Sequence, residues 1–192
     1  MKIKNKKLII IVVATLVVIA GIILAYKYNY LFKPKATSNI SEKPKQIQTT
    51  KYENFHLEIP KLSIEAPIVA DVPGDDKDTY FKALEGGVAH FQGTKKPGEG
   101  GLIFIFGHSS FFPWAAGNYK EIFINLEKIE KNDEVSVWYN KKEYKYKVSE
   151  TKVVSPEDIS VLNPTSDEQL VLMTCVPPGT KEKRLIVIAK PI

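Results

Sequence analysis

Cys175 is the only cysteine in the chain, and Arg184, nine residues later, is the only arginine; every other strongly basic residue is a lysine. Both lie in LVLMTCVPPGTKEKRLIVIAK, Leu170 to Lys190, where two apolar, β-branched runs flank a loop broken by Pro177, Pro178 and Gly179. This layout predicts one strand ending at a thiol and a second strand beginning at a guanidinium. A thiol becomes a useful nucleophile when a neighbour manages its proton and a donor stabilises the charge that builds on the attacked carbonyl. Three histidines are available as that neighbour: His56, His90 and His108. His108 directly follows the apolar run GLIFIFG, so its ring is expected at the rim of a buried strand, half exposed and rigidly held. Arg184 adds a permanent cation whose planar donor fork suits a carbonyl or an oxyanion.

Simpler readings exist for the same residues. A lone cysteine in an apolar strand is commonly a small packed hydrophobe. His56, in an edge-like strand, reads as structural, and nothing around His90 in the glycine-rich GGVAHFQG points to proton transfer. No pairing of Cys175 with a histidine has zinc-ligand spacing, so no metal or other cofactor is expected. KKPGEGG reads as a turn and not a phosphate cradle, because no helix opening with Lys-Ser or Lys-Thr follows it. Asp75, Asp76 and Asp78 read as a solvated turn, without an evident calcium loop. A single cysteine excludes an internal disulfide. The formal charge of +5 comes from scattered lysines and an N-terminal cluster, so nucleic acid is not the expected partner.

The elements that must hold these groups follow from periodicity. MKIKNKK carries four lysines and precedes an uncharged stretch, Leu8 to Tyr26. As a helix its 19 residues would rise roughly 28 Å, close to the hydrocarbon thickness of a bilayer. The expectation is an uncleaved single-pass anchor at 8–26 in the cell membrane, its N-terminus (1–7) cytoplasmic and the remainder extracytoplasmic. Residues 27–52 are polar, lysine-rich and punctuated by proline, the composition of a stalk. From 53 to 192 short apolar runs alternate with turns. FHLEIPKLSIEAPIVADV alternates through Leu57, Ile59, Leu62 and Ile64, with Pro60 and Pro67 suited to strand edges. DEVSVWYNKKEYKYKVSE predicts a hairpin turning at Asn140 and Lys141. Short helices are expected at Asp78 to Glu85, Tyr119 to Ile129 and Pro156 to Leu162. Strands outnumber helices, which predicts a mainly β fold with a closed or partly closed barrel.

Three separated segments carry a family resemblance. LMTCVPPGTKEKRLIVIA resembles the active-site strand and loop of the sortases, cysteine transpeptidases of bacterial surfaces, whose pattern is Thr-Leu-x-Thr-Cys, a variable loop and Arg. GGLIFIFGHSS is similar to their histidine strand and GGVAHFQGTKKPGEGG to the loop before it. The likeness covers Asn54 to Pro191, with Val171 in place of the leading threonine. It implies an eight-stranded sortase-like β-barrel with short helices. It also implies that Cys175 attacks the threonyl carbonyl of an LPxTG-like (Leu-Pro-x-Thr-Gly) sorting signal to form a thioacyl enzyme. His108 would then shuttle the proton and Arg184 would hold substrate and oxyanion, with Thr174 a weaker substrate contact. Implied partners are secreted proteins bearing that signal, an amine acceptor such as a cell-wall precursor or a pilin lysine, and the lipid bilayer. The loop between Cys175 and Arg184 resembles classes D and E and also class C, but the stalk lacks the aromatic, acidic plug of a class C lid. Other readings are a tethered binding module without turnover, a thiol protease of the same fold, and a peptidoglycan cross-linking enzyme. The last is disfavoured because no Ser-His-Gly-Cys-like motif surrounds Cys175.

Overall fold

The computed structural model describes residues 21–24, 27–28 and 51–192. The chain divides into two units, Met1–Gln48 and Thr49–Ile192. In the first, residues 21–24 and 27–28 are helical. The rest of the expected anchor, the segment before it and nearly all of the stalk lie outside the described residues. Among the described residues no helix is long and apolar enough to cross a membrane.

Eight strands build the second unit: β1 His56–Ile59, β2 Ile64–Val72, β3 Val88–Phe91, β4 Leu102–Phe106, β5 Glu134–Tyr139, β6 Lys142–Val154, β7 Gln169–Val176 and β8 Lys183–Pro191. They close into a barrel in the order β1-β2-β3-β4-β7-β8-β6-β5, with β1 pairing β5 to complete the circle. Closure removes every edge, so His56 does not lie on an edge strand as expected: β1 is paired on both sides. The β5–β6 hairpin turns at Asn140 and Lys141, both with positive φ, the backbone a two-residue type I′ turn requires.

The segment that alternates through Leu57 to Ile64 is not one strand. Pro60 opens a 3-10 turn, Pro60–Leu62, and Ser63 takes a left-handed backbone that sends the chain back as β2. Pro67 lies inside β2, where pairing with β1 ends at His56 and parallel pairing with β3 begins at Ile68 and Val88. Its missing N–H therefore falls at a change of partner.

Parallel neighbours need a crossover, and β2 reaches β3 through helix α1, Lys77–Gly86. Asp76, expected in a solvated turn, is instead the N-cap: its carboxylate accepts from the backbone N–H of Asp78 and Thr79. At the other end a Cβ on Gly87 would meet the Pro67 carbonyl oxygen at 2.1 Å. Only glycine lets the helix end so close to β2. The helix expected at Tyr119 to Ile129 is a series of turns with a 3-10 segment at Leu126–Lys128, and Pro156 to Leu162 is likewise 3-10, at Ile159–Leu162.

Strand alternation sorts the apolar side chains into two clusters. Ile103 and Ile105 of β4, Leu170 and Leu172 of β7, and Leu185 and Val187 of β8 fill the barrel interior. Leu102, Phe104 and Phe106, with Val171 and Ile186, point outward and are covered by Ala83 and Leu84 of α1. β4 is thus buried on both faces, which is why its sequence is an unbroken apolar run. Both clusters are drawn from residues 55–189, so the barrel carries its own complete core.

Candidate active site

The two-residue side-chain period decides which way each chemical group faces. Leu170, Leu172 and Thr174 point into the barrel and Val171, Met173 and Cys175 point out. On β8, Leu185 and Val187 point in and Arg184 points out. The β7–β8 ladder pairs Cys175 with Arg184 directly. Thiol and guanidinium stems therefore stand side by side on the outer face, with Cα atoms about 5 Å apart as in any antiparallel pair.

His108 reaches the same place from β4. That strand runs parallel to β7 with Phe106 opposite Met173, and the ladder continues as the Gly107 N–H donates to the Met173 carbonyl at 3.1 Å. A Cβ on Gly107 would lie 2.9 Å from the Phe123 ring, so glycine lets that ring pack beneath the strand end. Phe123 then donates its N–H to the His108 carbonyl at 2.9 Å. The imidazole is stacked on Phe111, with ring centroids 4.6 Å apart and planes 13° from parallel, and Phe81 flanks it at 6.3 Å. Burial lowers its pKa below the ordinary histidine value, so the ring is neutral at pH 7.

Cys175, His108 and Arg184 line one cleft of about 480 Å³, whose remaining walls include Tyr80, Phe81, Phe111, Phe112 and Lys181. A second cleft, about 240 Å³, shares Tyr80 and Arg184 with the first and continues over Phe104, Phe106 and Met173 to Ile159, Val161 and Leu162. Together they form a mostly apolar trough with the thiol to one side of the shared wall. Arg184 is oriented by its loop: Nη1 donates to the carbonyls of Lys181 and Lys183 at 3.2 and 3.1 Å. No protein group among the described residues accepts from its other N–H donors. The loop itself is tightened at Pro177, whose carbonyl accepts from both the N–H and the hydroxyl of Thr180.

Thr174 is expected as a substrate contact, but its side chain faces inward and is buried. Its hydroxyl donates to the Gly107 carbonyl at 2.9 Å, tying the Cys175 strand to the residue before His108. His56 and His90 are elsewhere. His56 is covered by Tyr52, ring centroids 3.6 Å apart. His90 is fully buried, its Nδ1 accepting from the Asp71 N–H and its Nε2 set against Thr94 Oγ1 and the Lys95 carbonyl. Among the described residues no group of three or more His, Cys, Asp or Glu could hold a metal.

The barrel also resembles known proteins. A family model described as the sortase domain matches residues 57–192, which takes in all eight strands but for the first residue of β1. The chain belongs to the sortase family. Sortase D of Bacillus subtilis is 32% identical over 138 residues, covering 70% of this chain, and Sortase A of Bacillus anthracis is 24% identical over 131 residues. The chain covers 61% and 56% of the lengths of these two curated relatives. Among solved structures, a lid mutant of Sortase A from Corynebacterium diphtheriae superposes with a TM-score of 0.60 at 30% identity, over 73% of this chain and 70% of that one. A Clostridium perfringens Sortase D5 transpeptidase gives 0.59 at 29% identity, over 73% and 79%. Sequence reasoning on this sortase chain missed the aromatic walls. No local signal marks them: Tyr80 stands at the helical spacing of a core residue from Ala83 and Leu84, and Phe111 and Phe112 follow the end of β4 outside any regular element.

Proposed function

We propose that this sortase-family chain is a membrane-anchored cysteine transpeptidase that cleaves an LPxTG-like sorting signal and transfers the protein to an amine at the cell surface. The observation that carries the reading is the pairing of Cys175 with Arg184 across β7 and β8, with His108 on the wall of the same cleft. The thiol gives its proton to the neutral His108 ring, and Sγ attacks the scissile carbonyl carbon. The free N–H donors of Arg184 stabilise the resulting oxyanion. His108 then protonates the departing amine as the C–N bond breaks, leaving a thioester on Cys175. An incoming amine loses its proton to the same ring, attacks the thioester and releases the thiol. A thioester keeps the acyl group activated for amide formation, and one group switching between base and acid serves both halves.

The bilayer is reached through the uncharged stretch 8–26, and the acceptor amine is a cell-wall precursor or a pilin lysine. The barrel's polarity suits such a tether. β1 and β7 run in the same direction, so the chain enters at the end of the barrel opposite the thiol. The test is intact mass spectrometry of the barrel unit, wild type and Cys175→Ala, with a panel of sorting-signal peptides. The expected result is an acyl adduct on the wild type alone, discharged by an added amine. Peptide binding without an adduct, unchanged in Cys175→Ala, would overturn turnover and leave a binding module.

A further inference from the structure

The two clefts meet at a residue that the reaction above does not use. Tyr80 comes from the first turn of α1, where its N–H donates to the Asp76 carbonyl at 2.9 Å and so closes the first helical turn behind the Asp76 cap. Its ring is stacked on Phe106, centroids 4.9 Å apart and planes 12° from parallel. It is therefore held on the outer face of β4, beside the strand that carries Cys175. With Arg184 it lines both clefts, so a chain lying along the trough must pass it.

The hydroxyl has no hydrogen-bond partner within the protein among the described residues, whereas the fully buried Tyr146 donates to a carboxylate. Burial pushes the Tyr80 phenol up to about 12, and Tyr80 shares the wall of the first cleft with Cys175 and Arg184. A phenol that stays protonated at neutral pH is a donor and not a base. Tyr80 is only partly buried, so its hydroxyl meets solvent in the free protein, and a peptide carbonyl lying in the trough can take the place of that water.

We propose that Tyr80 is a substrate-positioning residue whose hydroxyl donates a hydrogen bond to a backbone carbonyl of the acyl substrate where the peptide crosses between the two clefts. The assignment rests on the transpeptidase reading and adds a specificity element to it. Arg184 faces the oxygen of the scissile carbonyl, and a second donor beyond it fixes the peptide at two points. A two-point hold orients the reacting carbonyl toward Sγ, which a single contact leaves free to rotate.

Tyr80→Phe tests it, because it keeps the Phe106 stack and the cleft wall and removes one oxygen. Three readouts are taken on wild type and variant: melting temperature, alkylation of Cys175 by iodoacetamide, and kcat/KM for acylation by the peptide that modifies the wild type. Melting and alkylation are expected to be unchanged while acylation falls about tenfold, the loss of one hydrogen bond. Tyr80→Ala, which also opens the wall, should lose about a hundredfold. Equal acylation by wild type and Tyr80→Phe overturns the assignment alone. A parallel fall in alkylation overturns it too, by putting the hydroxyl's effect on the thiol and not on the peptide. A wild type that is alkylated by iodoacetamide but acylated by no peptide overturns the transpeptidase reading, and the Tyr80 role with it.

Discussion

Glu168 stands immediately before β7, and both its carboxylate oxygens accept hydrogen bonds inside the protein. Oε1 accepts from the Tyr146 hydroxyl at 2.7 Å, and Oε2 accepts from the backbone N–H groups of Gly98 and Gly100 at 2.9 and 3.2 Å. Tyr146 is fully buried. One carboxylate thus fastens the β3–β4 loop and a core phenol to the start of the strand that carries Cys175. In Glu168→Ala the buried hydroxyl loses its partner at about 1–3 kcal/mol, and the two glycine N–H groups, nearer the surface, lose about 0.5 kcal/mol each on returning to water. The expected total is about 2–4 kcal/mol, a fall in Tm of about 5–12 °C for a domain of this size. Tyr146→Phe strands a carboxylate oxygen and should cost about 1–2 kcal/mol. The double variant removes both orphaned groups, so it should be less destabilised than the sum of the two by about 1–2 kcal/mol. Urea unfolding of the barrel unit, read by circular dichroism for all four proteins, measures each term. A Glu168→Ala variant within about 0.5 kcal/mol of wild type, or a cycle additive to about 0.3 kcal/mol, would refute the reasoning.

Ser109, next to His108, is buried and its hydroxyl has no partner among the described residues, so Ser109→Ala should stabilise the barrel by about 1 kcal/mol; a lower Tm would mean that the hydroxyl is bonded. Burial lowers the pKa of His56, His90 and His108 below 6.5, so just under that value the unfolded chain binds more protons than the folded one. Stability should therefore decline as pH falls below about 6.5 toward the folded values, and the slope should be shallower in His90→Gln; a flat Tm between pH 7.5 and 5.5 would contradict this. Arg184→Lys keeps the charge but loses the fork that both grips the Lys181 and Lys183 carbonyls and faces the cleft. Acylation should fall on the order of a hundredfold with alkylation of Cys175 unchanged, and retained acylation would show that charge alone suffices.

The strands were legible wherever one face or both had to be apolar. GLIFIF is unbroken because interior and α1 bury its two sides, and Tyr144, Tyr146 and Val148 alternate because β6 buries one. The hairpin turn was legible because two consecutive residues must take positive φ there. The helices were less so. Lys77–Gly86 has a cap and a packed face, whereas Tyr119 to Ile129 has helical composition but is held to the barrel by turns such as the Phe123 bond to His108.

At the site, the sequence by itself determined which groups could react: one thiol, one guanidinium, and a histidine at the end of a buried strand. Strand parity also requires that Cys175 and Thr174 face opposite ways. Tertiary structure alone decided the rest, because the deciding contacts join residues far apart in the chain. Parallel pairing of β4 with β7 brings His108 to Cys175 across more than sixty residues. The β7–β8 register sets the thiol against Arg184 and not one residue to either side, and a slip of one would turn one of the two inward. The crossover between two parallel strands drops α1 onto the outer face of β4 and so delivers Tyr80 to the meeting point of the two clefts. No local pattern encodes that placement, since periodicity reports which face of an element is buried but not which element covers it.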